Sequence, residues 1–172
     1  MRTSLLPGSA APDLAVDLVG GGTFKLADAT PEHFTMIDFH RGLHCPVCRS
    51  HTRALMRVQH DFAAIGVDVI TVSMDTEERA RTAVAEWGLG DLPVGYGLTE
   101  DSAREWGLYI STSIRDSEPA RFSEPGLFLV RPDGTLFYAA ITTMPFGRPD
   151  PKQMLSSITW LIDNDYPARG AA

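Results

Sequence analysis

The feature that most restricts the fold is a junction. An apolar run, Phe34-Thr35-Met36-Ile37-Asp38-Phe39, gives way to Cys45-Pro46-Val47-Cys48, after which Leu55, Val58, Phe62 and Ile65 recur with helical spacing. Proline suits a first helical position, where its missing N–H would be unpaired anyway. Cys45 is therefore the expected N-cap of a helix over 46–65 that stops at Gly66. Residues 67–73 are continuously apolar and β-branched apart from Asp68, as a strand covered on both faces must be. Strand, helix, strand implies a parallel crossover.

The remaining pattern extends this unit. Gly20-Gly21-Gly22 separates two short strand-like pieces, 14–18 and 23–26, which predicts an N-terminal hairpin. Asp75-Thr76-Glu77-Glu78 opens a second helix that ends at Trp87-Gly88; a short strand over 94–98 and a third helix over 101–106 follow. Residues 111–125 are polar and irregular, which predicts an active-site or mobile loop. Residues 126–130 and 135–141 flank the turn Pro132-Asp133-Gly134, and 151–162 form a closing amphipathic helix. At 172 residues and 44% hydrophobic content the chain is expected to be one domain over 1–172, with 163–172 as a flexible tail. The expected class is α/β: a thioredoxin-like fold, with a central mixed sheet flanked by helices and an N-terminal hairpin extension.

Cys45 and Cys48 are the only cysteines. A helix N-terminus lowers a thiol's pKa through its unpaired N–H groups and dipole, and the Cys-x-x-Cys spacing puts both sulfurs on the first turn, so a redox dithiol is the expected chemistry. No acid lies between Phe39 and His60, whereas Arg41, Arg49, Arg53 and Arg57 do, together with His40, His44, His51 and His60, in a chain of net charge −7. Arg41, His44 and Arg49 are the expected supporting cations, while Arg53 and Arg57 also fit a solvated helix face. Cys45, Cys48 and His51, with His44, have metal-like spacing, and a non-catalytic metal module is a minor alternative. Arg41 and Arg49 would repel a cation, and no second ligand cluster stands elsewhere, so neither metal nor cofactor is expected. Two cysteines this close cannot cross-link distant segments, and the opening Met1-Arg2-Thr3 lacks an apolar leader, so a cytoplasmic address is expected. A pI near 5.1 and the lack of about 18 consecutive apolar residues argue against nucleic-acid and membrane partners.

The segment Phe39-His40-Arg41-Gly42-Leu43-His44-Cys45-Pro46-Val47-Cys48-Arg49 resembles the signature of peroxiredoxin-like members of the alkyl hydroperoxide reductase and thiol-specific antioxidant family. Ala11-Pro12-Asp13-Leu14, Val72-Ser73-Met74-Asp75, Gly97-Leu98-Thr99-Glu100-Asp101 and residues 126–134 are similar to further landmarks of that family, which together span about 8–162. The resemblance implies a thiol-dependent oxidoreductase with an antioxidant role. Peroxidases of the family carry P-x-x-x-T-x-x-C and a distant arginine before the last hairpin strand. In that register Cys48 is the peroxidatic position, Cys45 stands on the threonine, Arg41 on the proline and Pro125 on the arginine. Pro125 instead resembles the cis proline of thioredoxins, which would expose the backbone of Glu124 for docking an extended substrate.

Two chemistries follow. In thiol-disulfide exchange, the leading expectation, Cys45 attacks and Cys48 resolves. In the alternative, a hydroperoxide oxidises Cys48 to a sulfenic acid and Cys45 condenses with it. Asp38 resembles the buried acid of thioredoxins that assists proton transfer. The expected partners are protein or small-molecule thiols and disulfides, with hydroperoxides under the alternative; a homodimer is compatible with the sequence.

Overall fold

The computed structural model describes residues 5–172; Met1-Arg2-Thr3, on which the expectation about a leader rests, lies outside the described residues. In chain order the elements are β1 (Ala15–Leu18), β2 (Thr23–Lys25), β3 (Phe34–Phe39), α1 (Pro46–Ala64), β4 (Val67–Val72), α2 (Glu77–Trp87) and β5 (Val94–Tyr96). There follow α3 (Glu100–Glu105), β6 (Ile110–Thr112), β7 (Arg121–Ser123), β8 (Gly126–Val130), β9 (Leu136–Ile141) and α4 (Pro151–Asp163). Seven strands form one sheet in the order β2-β1-β5-β4-β3-β8-β9. β3, β4 and β5 run parallel, while β8 is antiparallel to β3 and β9 to β8. This is a thioredoxin-like mixed sheet with helices on its faces and the β1–β2 hairpin at one edge.

Residues 111–125 are irregular only over 113–120 and 124–125. Part of the segment forms β7, which pairs antiparallel with β6, so that Ile110 faces Ser123 and Thr112 faces Arg121. The segment 163–172, expected as a tail, opens on the last residue of α4 and then packs back: Tyr166 lies 5.3 Å from the Trp160 ring, and Ala168 touches the core.

The central strands are apolar throughout because both faces are covered, and their period of two sorts side chains between two cores. Phe34 and Met36 face α1, packing with Leu55, Val58 and Phe62 and with Ile158 of α4. Ile37 and Phe39 face the other way, into a cluster with Ile70, Val72, Trp106 and Phe128. The Trp106 and Phe128 rings meet nearly edge-on at 4.9 Å, and Phe39 lies 5.5 Å from Trp106, favourable aromatic geometries. The same alternation puts Asp38, two residues beyond Met36, on the α1 side. A carboxylate is thereby fixed under the first turns of the cysteine helix, fully buried.

Sheet direction fixes a second point. Phe39 pairs with Gly126, and Gly126 with Ile141, so the chain leaves β9 at the sheet end from which it leaves β3. The connection from β9 to α4 therefore runs beside the loop that carries the cysteines.

Candidate active site

Cys45 adopts extended backbone, φ −99° and ψ 107°, and caps α1: its Sγ accepts a hydrogen bond from the Cys48 N–H at 3.2 Å, with Pro46 next in the first turn. Both cysteines are free thiols and both are buried, Cys45 at 1% exposure and Cys48 at 0%. The hydrogen bond from the Cys48 thiol lowers the Cys45 pKa most; burial opposes it, and the Cys48 amide and Arg41 add to the lowering, to about 6 from 9.0. Cys48 moves the opposite way, pushed up by that same hydrogen bond and by burial. The two shifts run in opposite directions, favouring the thiolate on Cys45 and the thiol on Cys48.

The group that faces Cys48 is one the sequence reading did not single out. Arg148, in the β9–α4 connection, directs its guanidinium as a fork: Nη1 donates to Cys48 Sγ at 3.4 Å and Nη2 to Asp38 Oδ1 at 3.1 Å. Its side chain is only 5% exposed. Asp38 also meets His51 Nε2 at 3.1 Å and accepts from Thr71 Oγ1 at 3.2 Å. Burial by itself would raise the Asp38 pKa, but Arg148 and His51 overcome it and hold the carboxyl well below the usual carboxylate range. Paired with both cations, the Asp38 carboxylate holds the Arg148 guanidinium in place against Cys48.

The other expected residues are arranged unequally. Arg41 pairs with Glu124, Nε to Oε2 at 3.2 Å, and lies over the Phe122 ring at 4.9 Å. The His44 ring also packs on Phe122, centroids 4.7 Å apart, and burial followed by Arg41 lowers its pKa. Arg49 is exposed on α1 and has no ion pair or side-chain hydrogen bond among the described residues. Pro125 lines a small crevice together with Arg148, but its peptide bond is trans: no cis bond occurs among the described residues. The Glu124 N–H is already taken, donating to Tyr109 O at 2.7 Å, and its side chain is buried against Ser111 and Arg41. The β6–β7 pairing thus continues through the Glu124 N–H, a donor expected to face a docked substrate. Among the described residues no three of His, Cys, Asp and Glu come together as a metal site, and no helix is long and apolar enough to cross a membrane.

A thiol pair at a helix N-terminus on a thioredoxin-like sheet, with a guanidinium on one sulfur, defines a thiol-based oxidoreductase. The AhpC/TSA family profile matches residues 7–139, and the chain belongs to that family. It is 28% identical over 152 residues, 82% of its length and 71% of the relative's, to a protein described as a peroxiredoxin, ycf42, of Porphyra purpurea. Its fold is similar to that of peroxiredoxin 6 of Arenicola marina, with TM-score 0.76, 19% identity and 95% and 76% of the two chains covered. It is also similar to the PrxQ of Xylella fastidiosa, with TM-score 0.75, 15% identity and 93% and 99% covered. A protein described as a thiol:disulfide interchange protein, DsbE, of Chlorobium tepidum aligns with TM-score 0.67, 23% identity and 91% and 97% covered.

Proposed function

We propose that this chain reduces small hydroperoxides, with Cys48 as the oxidised sulfur and Cys45 as its proton partner and resolving thiol. The observation that carries the reading is Arg148 Nη1 at 3.4 Å from Cys48 Sγ. The arginine missing from the usual position at Pro125 has a counterpart from another segment. Access points the same way, because sulfurs at 1% and 0% exposure require a smaller opening for a two-oxygen molecule than for a protein disulfide.

The chemistry balances with the groups present. The Cys48 proton crosses to Cys45, and the Cys48 thiolate attacks the terminal peroxide oxygen, breaking the O–O bond. Cys45 returns that proton to the departing alkoxide, giving an alcohol, or water from hydrogen peroxide, and Cys48 sulfenic acid. Cys45, capping the same helix turn and beside Arg41, is the acid placed for that step. The Cys45 thiolate then attacks the sulfenic sulfur, forming the disulfide and expelling hydroxide. An external thiol, small or protein-borne, restores the dithiol.

A second reading keeps Cys45 as the attacking thiolate toward disulfides, and its capped, low-pKa sulfur favours it. Stopped-flow oxidation of the reduced protein by hydrogen peroxide, set beside its reduction of an oxidised protein disulfide at equal concentration, tests the choice. Faster reaction with peroxide is expected; a faster disulfide reaction would overturn the proposal in favour of the second reading.

A further inference from the structure

Outside the sulfurs and their cations, a cluster of buried polar groups, Ser73, Asp75 and His40, lies at the exit of β4 against the loop that enters the dithiol. Asp75 is 2% exposed and belongs to no strand or helix. Its Oδ2 accepts from the Leu43 N–H at 2.8 Å, across 32 residues of sequence, and its Oδ1 accepts from Arg79 Nε of α2 at 2.9 Å. Its own N–H donates to Ser73 Oγ at 3.2 Å. One residue earlier in the same loop, the Gly42 N–H donates to Nδ1 of buried His40 at 3.1 Å, and the Gly42 carbonyl accepts from the Cys45 N–H at 3.1 Å. Consecutive amides, 42 and 43, are thus held by two buried acceptors just before the cap. Gly42 itself permits this approach: it sits at φ +115°, and a Cβ there would stand 2.6 Å from Asp75 Oδ1.

We infer that Asp75 is a positioning residue for the dithiol, fixing the loop of residues 41–44 so that Cys45 stays in the extended conformation that lets its sulfur cap α1. The carboxylate touches neither sulfur. It acts through the Leu43 amide, and Arg79 ties it to α2, so the cap is anchored to the second crossover as well as to its own helix. His40 works as a companion acceptor through Nδ1; its Nε2 has no hydrogen-bond partner. The inference rests on Cys45 being the charged member of the pair and not on which oxidant the enzyme uses.

The test compares Asp75→Ala, Asp75→Asn and Gly42→Ala in the full chain, reading the thiolate absorbance near 240 nm against pH and, separately, the unfolding midpoint. Asparagine keeps an oxygen for the Leu43 N–H, so Asp75→Asn retains the Cys45 thiolate midpoint. Asp75→Ala removes the acceptor, and Gly42→Ala drives a methyl group into it with both polar partners still present. Each is expected to raise the midpoint by roughly one pH unit, a tenfold loss of thiolate at fixed pH below it. If Asp75→Ala does not fold, the contrast between Gly42→Ala and Asp75→Asn carries the test. A merely structural role would lower the unfolding midpoint and leave the thiolate midpoint of the folded variants where it is in the wild type; that result overturns the inference, while leaving the peroxide proposal standing.

Discussion

Replacing Arg148 separates a guanidinium that stabilises a reacting sulfur from one that merely fills space. At 3.4 Å and an effective dielectric near 20, a full positive charge on Nη1 would attract a Cys48 thiolate by about 5 kcal/mol. Only the part that differs between the resting pair and the transition state accelerates the reaction, and Asp38, bonded to the same guanidinium, offsets part of the charge. Removing one preorganised donor typically costs about 10²–10³ in rate, and that is the expected loss for Arg148→Met in the first phase of oxidation by hydrogen peroxide. The single variant also leaves Asp38 buried with His51 as its one charged partner beside the Thr71 hydroxyl, at a stability cost of about 3–5 kcal/mol. The double variant Asp38→Asn with Arg148→Met removes both charges, and it should recover most of that stability without recovering rate. Stopped-flow tryptophan fluorescence gives the rate, since Trp87, Trp106 and Trp160 are intrinsic reporters, and urea unfolding gives the stability. A folded Arg148→Met or double variant oxidised within threefold of wild type would refute the role of Arg148.

Other outcomes follow from the same geometry. The Cys45 thiolate should titrate near pH 6 by its absorbance at 240 nm; a midpoint at or above 8.5 would contradict the cap argument. Because its folded pKa lies below the ordinary 9.0, Cys45 should contribute native-state stability that is complete above pH 9 and is lost as pH falls from 9 through 6, measured as the difference in urea midpoints between wild type and Cys45→Ser. Burial lowers the His40 pKa from 6.5 to about 4, against the pull of Asp38 and Asp75, so the unfolded chain binds a proton across that interval and the folded chain does not. Stability should therefore fall as pH drops from 6.5 through 4, by up to about 1.4 kcal/mol per pH unit from this residue; His40→Asn, which keeps an acceptor for the Gly42 N–H but does not titrate, should flatten that slope, and an unchanged slope would contradict it.

What could be read from the sequence was local. The β3 run, Pro46 in the first turn and the helical spacing of Leu55, Val58 and Phe62 lie close together, and each signal agrees with its neighbour, so the cysteine-bearing crossover was legible. β6 and β7 were not, because they are three residues each, mostly polar, and Phe122 is the only large apolar side chain they bury. Arg148 lies 100 residues from Cys48 and is brought there by strand direction, the chain leaving β9 at the same sheet end as β3. No spacing rule reports that. Asp38 was visible as an acid on an apolar strand, but its chemistry depends on Arg148 and His51, so its role could not be read from its own position.

The most direct measurement asks which sulfur takes the oxygen. Reduced Cys45→Ser and Cys48→Ser proteins are each mixed with one equivalent of hydrogen peroxide in the presence of dimedone, and the adducts are located by peptide mass spectrometry. The expected result is a sulfenic acid adduct on Cys48 in Cys45→Ser that disappears when Arg148→Met is added, with no comparable adduct on Cys45 in Cys48→Ser over the same interval. A rapid adduct on Cys45 in Cys48→Ser, with Cys48 inert in its counterpart, would contradict the account.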